Sequence, residues 1–376
     1  MRFTINTQDF IEALRIGGSM SGKSKILPFT SYAKVEVYKD GRMQISSCDG
    51  DVGIVRKGAV LSSENDCSFC VQPKELVDIL STIKDTTIDY TLTDGWIELH
   101  HSKGNVTVPV LKTDDFVMPS EEEYGISLTM TANELYGCLK NARVFCGTDE
   151  IRPTLTGVLL KIDGQKVTIA ASDAHKLYID GFNIREEGTS NLEAIIPNKA
   201  VRPIIDALYT TDTANVSIGD SSIRISTPDT IITSKLIVGK YPNVLRLVAD
   251  NYNLEVVVKK DELLESLNRT LLSSDSTSRL VKIGISEGSP MTLVAEDLGF
   301  SKKSEDSIDV ESNPVDMPIG WDFKIGVKGS LLLDCLSSIS SEEVVFRFID
   351  NKKAIQILDR ERTEKIVILM PVMITS

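Results

Sequence analysis

A leucine-bearing helical segment recurs six times along this chain, at an alternating spacing. The segments are QDFIEAL closing at Leu14, KELVDIL at Leu80, NELYGCL at Leu139, KAVRPIIDAL at Leu208, DELLESL at Leu267 and GSLLLDCL at Leu336. Leu14, Leu139 and Leu267 form one series and Leu80, Leu208 and Leu336 the other, with steps of about 125 to 128 residues. A unit with two helices is thus made three times over. The period predicts three tandem α+β domains at 1–126, 127–252 and 253–376.

The segments between the helices repeat in the same phase. Asp40-Gly41, Asp163-Gly164 and Glu287-Gly288 each stand between two alternating apolar runs, where glycine accepts the positive φ of a tight hairpin. Each is followed by a strand closing on an aspartate: Met43 to Asp49, Val167 to Asp173 and Met291 to Asp297. A second set of hairpins is expected at Asp94-Gly95, Gly219-Asp220 and near Asp350-Asn351.

A length of 376 residues suits two or three domains with substantial cores. No apolar run approaches membrane-spanning length, and Met1-Arg2-Phe3-Thr4 alternates like a strand, so a cytoplasmic protein is expected. The six cysteines are irregularly spaced. Cys67 and Cys70 make one CxxC, but no second pair or histidine cluster follows, and Cys67 to Val71 reads as a strand, so no metal is expected. The formal net charge of −13 argues at first against nucleic acid. Its distribution argues otherwise. Acid gathers in Ser120-Glu121-Glu122-Glu123, read as a linker, and from Glu305 to Glu311, read as a loop, while Arg15, Lys74, Lys140, Lys199, Lys260, Arg269 and Lys328 recur on or beside the helices. One such residue is an ordinary solvated face; recurrence in every repeat points to a shared basic surface.

Gly17-Gly18-Ser19-Met20-Ser21-Gly22-Lys23-Ser24 fits the phosphate-cradling GxxxxGK[ST] pattern, which would make the chain a P-loop NTPase. Its setting is inverted: a helix leads in and a strand, Ala33 to Tyr38, follows, where phosphate binding needs a strand first and a helix N-terminus after it. The glycines are better read as a helix stop and loop. His100 and His101 close a strand without a nucleophile beside them. Ala171-Ser172-Asp173-Ala174-His175-Lys176-Leu177 reads as a strand ending in an Asp-led turn.

With that segment the chain resembles the bacterial DNA polymerase III beta subunit family, the DNA sliding clamps. Arg152-Pro153-Thr154-Leu155-Thr156-Gly157-Val158 is similar to the family's RPxLxGV, and Ala171 to Leu177 resembles its ATDGHRL. Ile196-Pro197-Asn198-Lys199-Ala200, Ser234 to Pro242 and the terminal Ile368 to Met373 resemble its IPNKA, SKLIxGxYP and VMPM segments. Three departures stand out: Ala174 for the usual Gly, Lys176 for Arg, and Pro203, which predicts that the fourth helix begins late or bends.

The resemblance implies a non-catalytic processivity factor without cofactor. Two copies would join head to tail into a ring, helices inside and sheets outside, around double-stranded DNA read without regard to sequence. It implies a cleft between the second and third domains for a peptide carried by polymerase, clamp loader and repair proteins. The matching positions are Leu155, Ser172, His175, Lys176, Leu177 and Pro242, then Arg246 and Leu247, then Met370, Pro371, Val372 and Met373. It places the ring joint at Val106, Leu271 and Leu272, the latter two equally readable as core. DNA contacts are expected from Lys23 and Lys25 in the glycine loop and from Lys74, Arg152, Lys199 and Arg202. A repeat scaffold unrelated to DNA would share the repeat but predicts no ring closure.

Overall fold

The computed structural model describes residues 1–22, 28–119, 122–185, 192–249, 251–362 and 364–374. The first repeat runs β1 (Arg2–Asn6), α1 (Thr7–Gly17), β2 (Ala33–Val37), β3 (Arg42–Cys48), β4 (Val52–Ala59), β5 (Ser62–Ser63), β6 (Cys67–Val71), α2 (Pro73–Leu80), β7 (Thr87–Leu92), β8 (Trp96–His101) and β9 (Gly104–Pro109). The second runs β10 (Ile126–Thr131), α3 (Ala132–Ala142), β11 (Gly157–Asp163), β12 (Lys166–Ser172), β13 (Lys176–Asn183), β14 (Leu192–Pro197), α4 (Asn198–Leu208), β15 (Thr213–Ile218), β16 (Ser222–Ser226) and β17 (Thr230–Lys235). The third runs β18 (Leu254–Lys259), α5 (Lys260–Leu271), β19 (Leu280–Ser286), β20 (Met291–Asp297), β21 (Lys302–Ile308), β22 (Glu311–Pro314), β23 (Asp322–Lys328), α6 (Gly329–Ser337), β24 (Glu343–Phe348), β25 (Ile355–Asp359) and β26 (Ile366–Leu369).

Local chemistry accounts for much of this. Asn6 caps α1 by accepting from the N–H groups of Gln8 and Asp9 at 2.9 and 3.2 Å. Asp261 and Glu262 in the first turn of α5, and Arg269 in its last, complement the helix dipole. Gly41, Gly164 and Gly288 take φ of 91°, 59° and 65°, as the hairpins require. Two expectations are corrected. The acidic stretch from Glu305 to Glu311 is strand, in β21 and β22, because its alternate residues, Ile308 among them, turn inward. The fourth helix begins at Asn198 and continues through Pro203. Pro203 leaves it one backbone bond short, and buried Val201, Ile204, Ile205 and Leu208 carry it across the gap.

The chain forms two compact units, one mainly of Met1–Gly137 and Ile196–Val238, the other mainly of Cys138–Asn183 and Gly239–Ser376. The first holds a five-stranded sheet, β5-β1-β7-β8-β9, and an eight-stranded sheet, β10-β15-β16-β17-β4-β3-β2-β6. In its core Phe3 stacks on Tyr90 at 4.9 Å while Phe10 of α1 meets Tyr90 edge-on at 5.6 Å. The second holds a nine-stranded sheet, β14-β11-β12-β13-β26-β25-β24-β18-β22, and a four-stranded sheet, β21-β20-β19-β23. Two junctions follow one rule: the last strand of a repeat pairs antiparallel with the fourth strand of the repeat before it. They are β17 on β4 and β26 on β13. At the free ends of their sheets stand β9 and β21.

Candidate functional site

The turn joining β12 to β13 is the hub of the site. The Asp173 carboxylate accepts from the N–H groups of His175 and Lys176 at 2.9 and 2.8 Å, closing an Asx turn. Ser172 Oγ donates to the Lys176 carbonyl at 2.9 Å and accepts from the Ala174 N–H at 3.1 Å. Ser172 is thereby fully used inside the turn. Ala174 sits at φ 74°, in left-handed space that glycine occupies without cost and alanine does not. The turn leaves the His175 imidazole exposed.

Two segments converge on this turn. From the C-terminal side, β26 pairs with β13, Leu177 opposite Ile368, and the Met370 N–H donates to the His175 carbonyl at 2.8 Å. The chain then crosses to β23, where the Val372 N–H donates to the Gly326 carbonyl at 2.8 Å. A Cβ at Gly326 would lie 2.7 Å from the Val372 carbonyl oxygen, so only glycine admits this approach. The crossing strips side-chain cover from Met370, Val372 and Met373, the last 84% exposed. From the other side, Gly239 (φ 140°) packs so tightly on Thr154 that a Cβ would meet its methyl at 2.7 Å. Tyr241 is buried beside Cys146 and the Asp173 turn, and Pro242, Arg246 and Leu247 are left exposed. Leu155 and Leu177 are buried. Exposed proline, leucine, valine and methionine side chains, with two exposed polar heads at His175 and Arg246, thus lie on the segments that meet at this turn or follow them.

Lys176 does not join this rim. Its side chain is 5% exposed, lies over the Phe145 ring at 5.3 Å and pairs with Asp334 of α6. Strand alternation alone gives no hint of this, because Asp334 is 158 residues away in sequence.

The basic candidates fare unevenly. Lys23 and Lys25 lie outside the described residues. Lys74 is exposed in the first turn of α2 and, with Arg15 and Gly18, lines a cavity of about 590 Å³. Arg152 pairs with Asp149 at 3.6 Å and Arg202 with Asp206 at 2.9 Å. Lys199 pairs with Asp49 and Asp51 at 3.1 and 2.7 Å. Burial opposes the Lys199 charge, but its bonds to Asp51 and Asp49 outweigh it and hold its pKa above the ordinary value. Apart from Lys199–Asp49, whose carboxylate is nearly buried, these pairs are exposed and worth little, so a phosphate oxygen can replace the carboxylate at small cost.

At the predicted joint, Val106 of β9 is half-buried against the core, and the leucine pair divides. Leu271 is 8% exposed and packs so near Gly329 that a Cβ there would lie 2.6 Å from it, so it is core; Leu272 is 79% exposed.

Among the described residues, Gly17 to Gly22, the phosphate-loop pattern has no phosphate-loop geometry. Gly17 ends α1, and the Gly18 N–H donates back to the Leu14 carbonyl at 2.8 Å. A Cβ on Gly17 would lie 2.7 Å from the Ile45 carbonyl oxygen, and one on Gly18 2.5 Å from Pro73, so close packing explains both glycines. Burial raises the thiol pKa of Cys67, and that of Cys70 to about 11, which disfavours a reactive thiolate. Among the described residues no cluster of His, Cys, Asp and Glu is placed to hold a metal, and no helix is long and apolar enough to cross a membrane.

Repeated two-helix units joined edge to edge by strands define the class: a modular clamp-type scaffold. Models of the N-terminal, central and C-terminal domains of the DNA polymerase III beta subunit match residues 1–119, 129–243 and 245–373. The chain belongs to that family. It is 22% identical over 373 residues, 99% of both chains, to the beta sliding clamp of Pseudomonas aeruginosa, and 24% identical over 363 residues, 93% of both, to that of Streptococcus pneumoniae. Among solved structures, the DNA polymerase III beta subunit of Thermotoga maritima is 21% identical and superposes over the full length of both chains with a TM-score of 0.90. A Pseudomonas aeruginosa sliding clamp bound to griselimycin gives 0.91 at 22% identity.

Proposed function

We propose that the chain is a bacterial DNA sliding clamp, a non-catalytic cytoplasmic subunit that encircles duplex DNA and tethers the replicative polymerase, the clamp loader and repair proteins. The repeated strand junction carries this reading. Since β17 closes on β4 and β26 on β13, the same rule sends β9 to β21. The two belong to the first and third repeats, and a second copy would supply both missing partners. The joined edges would complete a nine-stranded sheet, the size already present in the second unit, and remove two aggregation-prone edges. Val106 on β9 and the exposed Leu272 after α5 are assigned to this joint, and domain boundaries near 126 and 252 to the repeats.

A closed ring holds DNA topologically, so weak phosphate contacts suffice and permit sliding. We assign such contacts to Lys23, Lys25, Lys74, Arg152, Lys199 and Arg202, and client binding to the rim around the Asp173 turn. The decisive experiment loads the protein onto a nicked circular plasmid with its cognate loader. The complex should survive high salt on circular DNA and fall off within minutes of linearisation. Equal retention on both would replace topological by adhesive binding. Nucleotide turnover by the purified protein would revive the NTPase reading.

A further inference from the structure

The acidic connector between the first two repeats is fastened at two points. Met118 and Pro119 pack on β4 so closely that a Cβ at Gly53 would lie 2.8 and 2.7 Å from them. Only glycine leaves that room. Glu122 is seated on the turn between β15 and β16. One of its carboxylate oxygens accepts from the Ser221 N–H, the Ser222 N–H and the Ser222 hydroxyl at 3.2, 2.7 and 2.7 Å, and the other accepts from the Ser221 hydroxyl at 2.8 Å. The Ser222 and Ser221 hydroxyls outweigh desolvation and hold the Glu122 carboxyl below its ordinary range. Four donors on one ionised carboxylate make a stronger seat than the same number of neutral pairs.

The two anchors flank one strand. Gly53 of β4 stands opposite Thr233 of β17, and Ser222 of β16 stands opposite Lys235 of the same strand. The Ser221 carbonyl also accepts from the Leu236 N–H at 2.8 Å, just past the end of β17. This is the strand by which the second repeat closes on the first. Two strand spacings separate β4 from β16, about 10 Å, and the three-residue step from Pro119 to Glu122 spans at most about 11 Å, so little slack is left. The connector after β17 repeats the outer anchor with a neutral bond: Gln356 Nε2 on β25, the strand beside β26, donates to the Ala249 carbonyl at 2.8 Å. We infer that Pro119 and Glu122 are the two anchors of a strap that locks the β4–β17 junction, with the Glu122 carboxylate as its catch. While the catch is engaged the first two repeats move as one body, and opening between them begins with its release.

Amide hydrogen exchange of the full chain, read by mass spectrometry, tests the strap whether or not two copies form a ring. Glu122→Ala removes the catch. Gly219→Ala evicts the carboxylate from the opposite side, since a Cβ on Gly219 would collide with it, and Gly219 has no positive φ, so the backbone itself accepts alanine. Each variant should raise exchange across β4 and β17 about tenfold, while β7, β8 and β9 keep their wild-type rates. Because both remove one catch, the double variant should exchange within about twofold of either single variant. Unchanged β4 and β17 rates in Glu122→Ala, or a rise confined to the β15–β16 turn, would overturn the strap. Effects that multiply in the double variant would reveal two separate faults and overturn it as well.

Discussion

The two strand junctions within the chain share topology and differ in the charge cluster beside each, one dry and one solvated. At β13–β26 the charges are interior. Lys365 Nζ donates to Asp359 at 3.1 Å, to the Ser338 carbonyl at 2.9 Å and to Ser340 Oγ at 3.1 Å, and Lys365 and Asp359 are nearly inaccessible. Beside them buried Asp180 meets Arg362 and buried Lys176 meets Asp334, the second partner of each pair partly solvated. At β4–β17 Arg56 is buried against the half-exposed Asp229, and a second cluster lies outside: Lys199 and Lys235 share Asp51 at 2.7 and 3.0 Å, all three well exposed. Desolvated pairs commit a backbone to one geometry because losing a partner strands a charge, while solvated pairs can be traded. The dry cluster lies at the junction that borders the exposed rim around the Asp173 turn. The wet one carries lysines that can exchange a carboxylate for a phosphate.

The contrast breaks most directly at Lys365. Lys365→Met should destabilise the second unit by about 3 to 5 kcal/mol, measured by urea unfolding. Burial opposes ionisation of Asp359, yet the Ser340 N–H, Lys365 and the Ser340 hydroxyl outweigh it and hold the carboxyl well below the usual range. A carboxylate depressed on folding stabilises above its unfolded pKa and loses that contribution as pH falls, so this junction should weaken only below roughly pH 4. Acid unfolding of Asp359→Asn as steep as wild type would show the charge to be idle.

The rim is probed next. Truncation after Leu369 should leave a folded dimer but remove apolar anchors worth roughly 2 to 4 kcal/mol, about thirty- to a thousandfold in client-peptide affinity by fluorescence anisotropy. Undiminished affinity would move the cleft elsewhere. A smaller effect is expected of Lys176→Met. Its partner Asp334 is partly solvated, so stability should fall by about 1 kcal/mol and peptide Kd should change less than about threefold. A tenfold loss in affinity would put the Lys176 ammonium at the rim after all.

The smallest change in stability tests the wet junction. Lys199 and Lys235 lower the Asp51 pKa, but all three are solvated, so Asp51→Asn should cost less than about 1 kcal/mol. It should also free a lysine for phosphate and steepen the salt dependence of duplex binding by about one unit of slope. A flatter slope would place Lys199 away from DNA.

What could be read in advance was what a residue requires of its near neighbours. Gly41, Gly164 and Gly288 demand hairpins because positive φ is a property of one residue, and the leucine series demands six helices because a helix face is written within two turns. The same locality exposes the false phosphate loop, since the order of helix and strand around Gly17 is itself a short-range fact. The rim is legible only through the family resemblance, since nothing near Met370 in sequence announces that its N–H will meet His175. Division of Leu271 from Leu272 needed Gly329 across the fold, and the inward turn of Lys176 needed Asp334 on a helix of another repeat.

By itself, then, the sequence determined the threefold period, the elements within each repeat and the family, because these follow from spacing and backbone preference. Only the tertiary structure decided which charges are dry, which edges stay open and which leucine faces out. Desolvation and strand pairing are properties of what the rest of the chain brings alongside a residue, and no local pattern contains them.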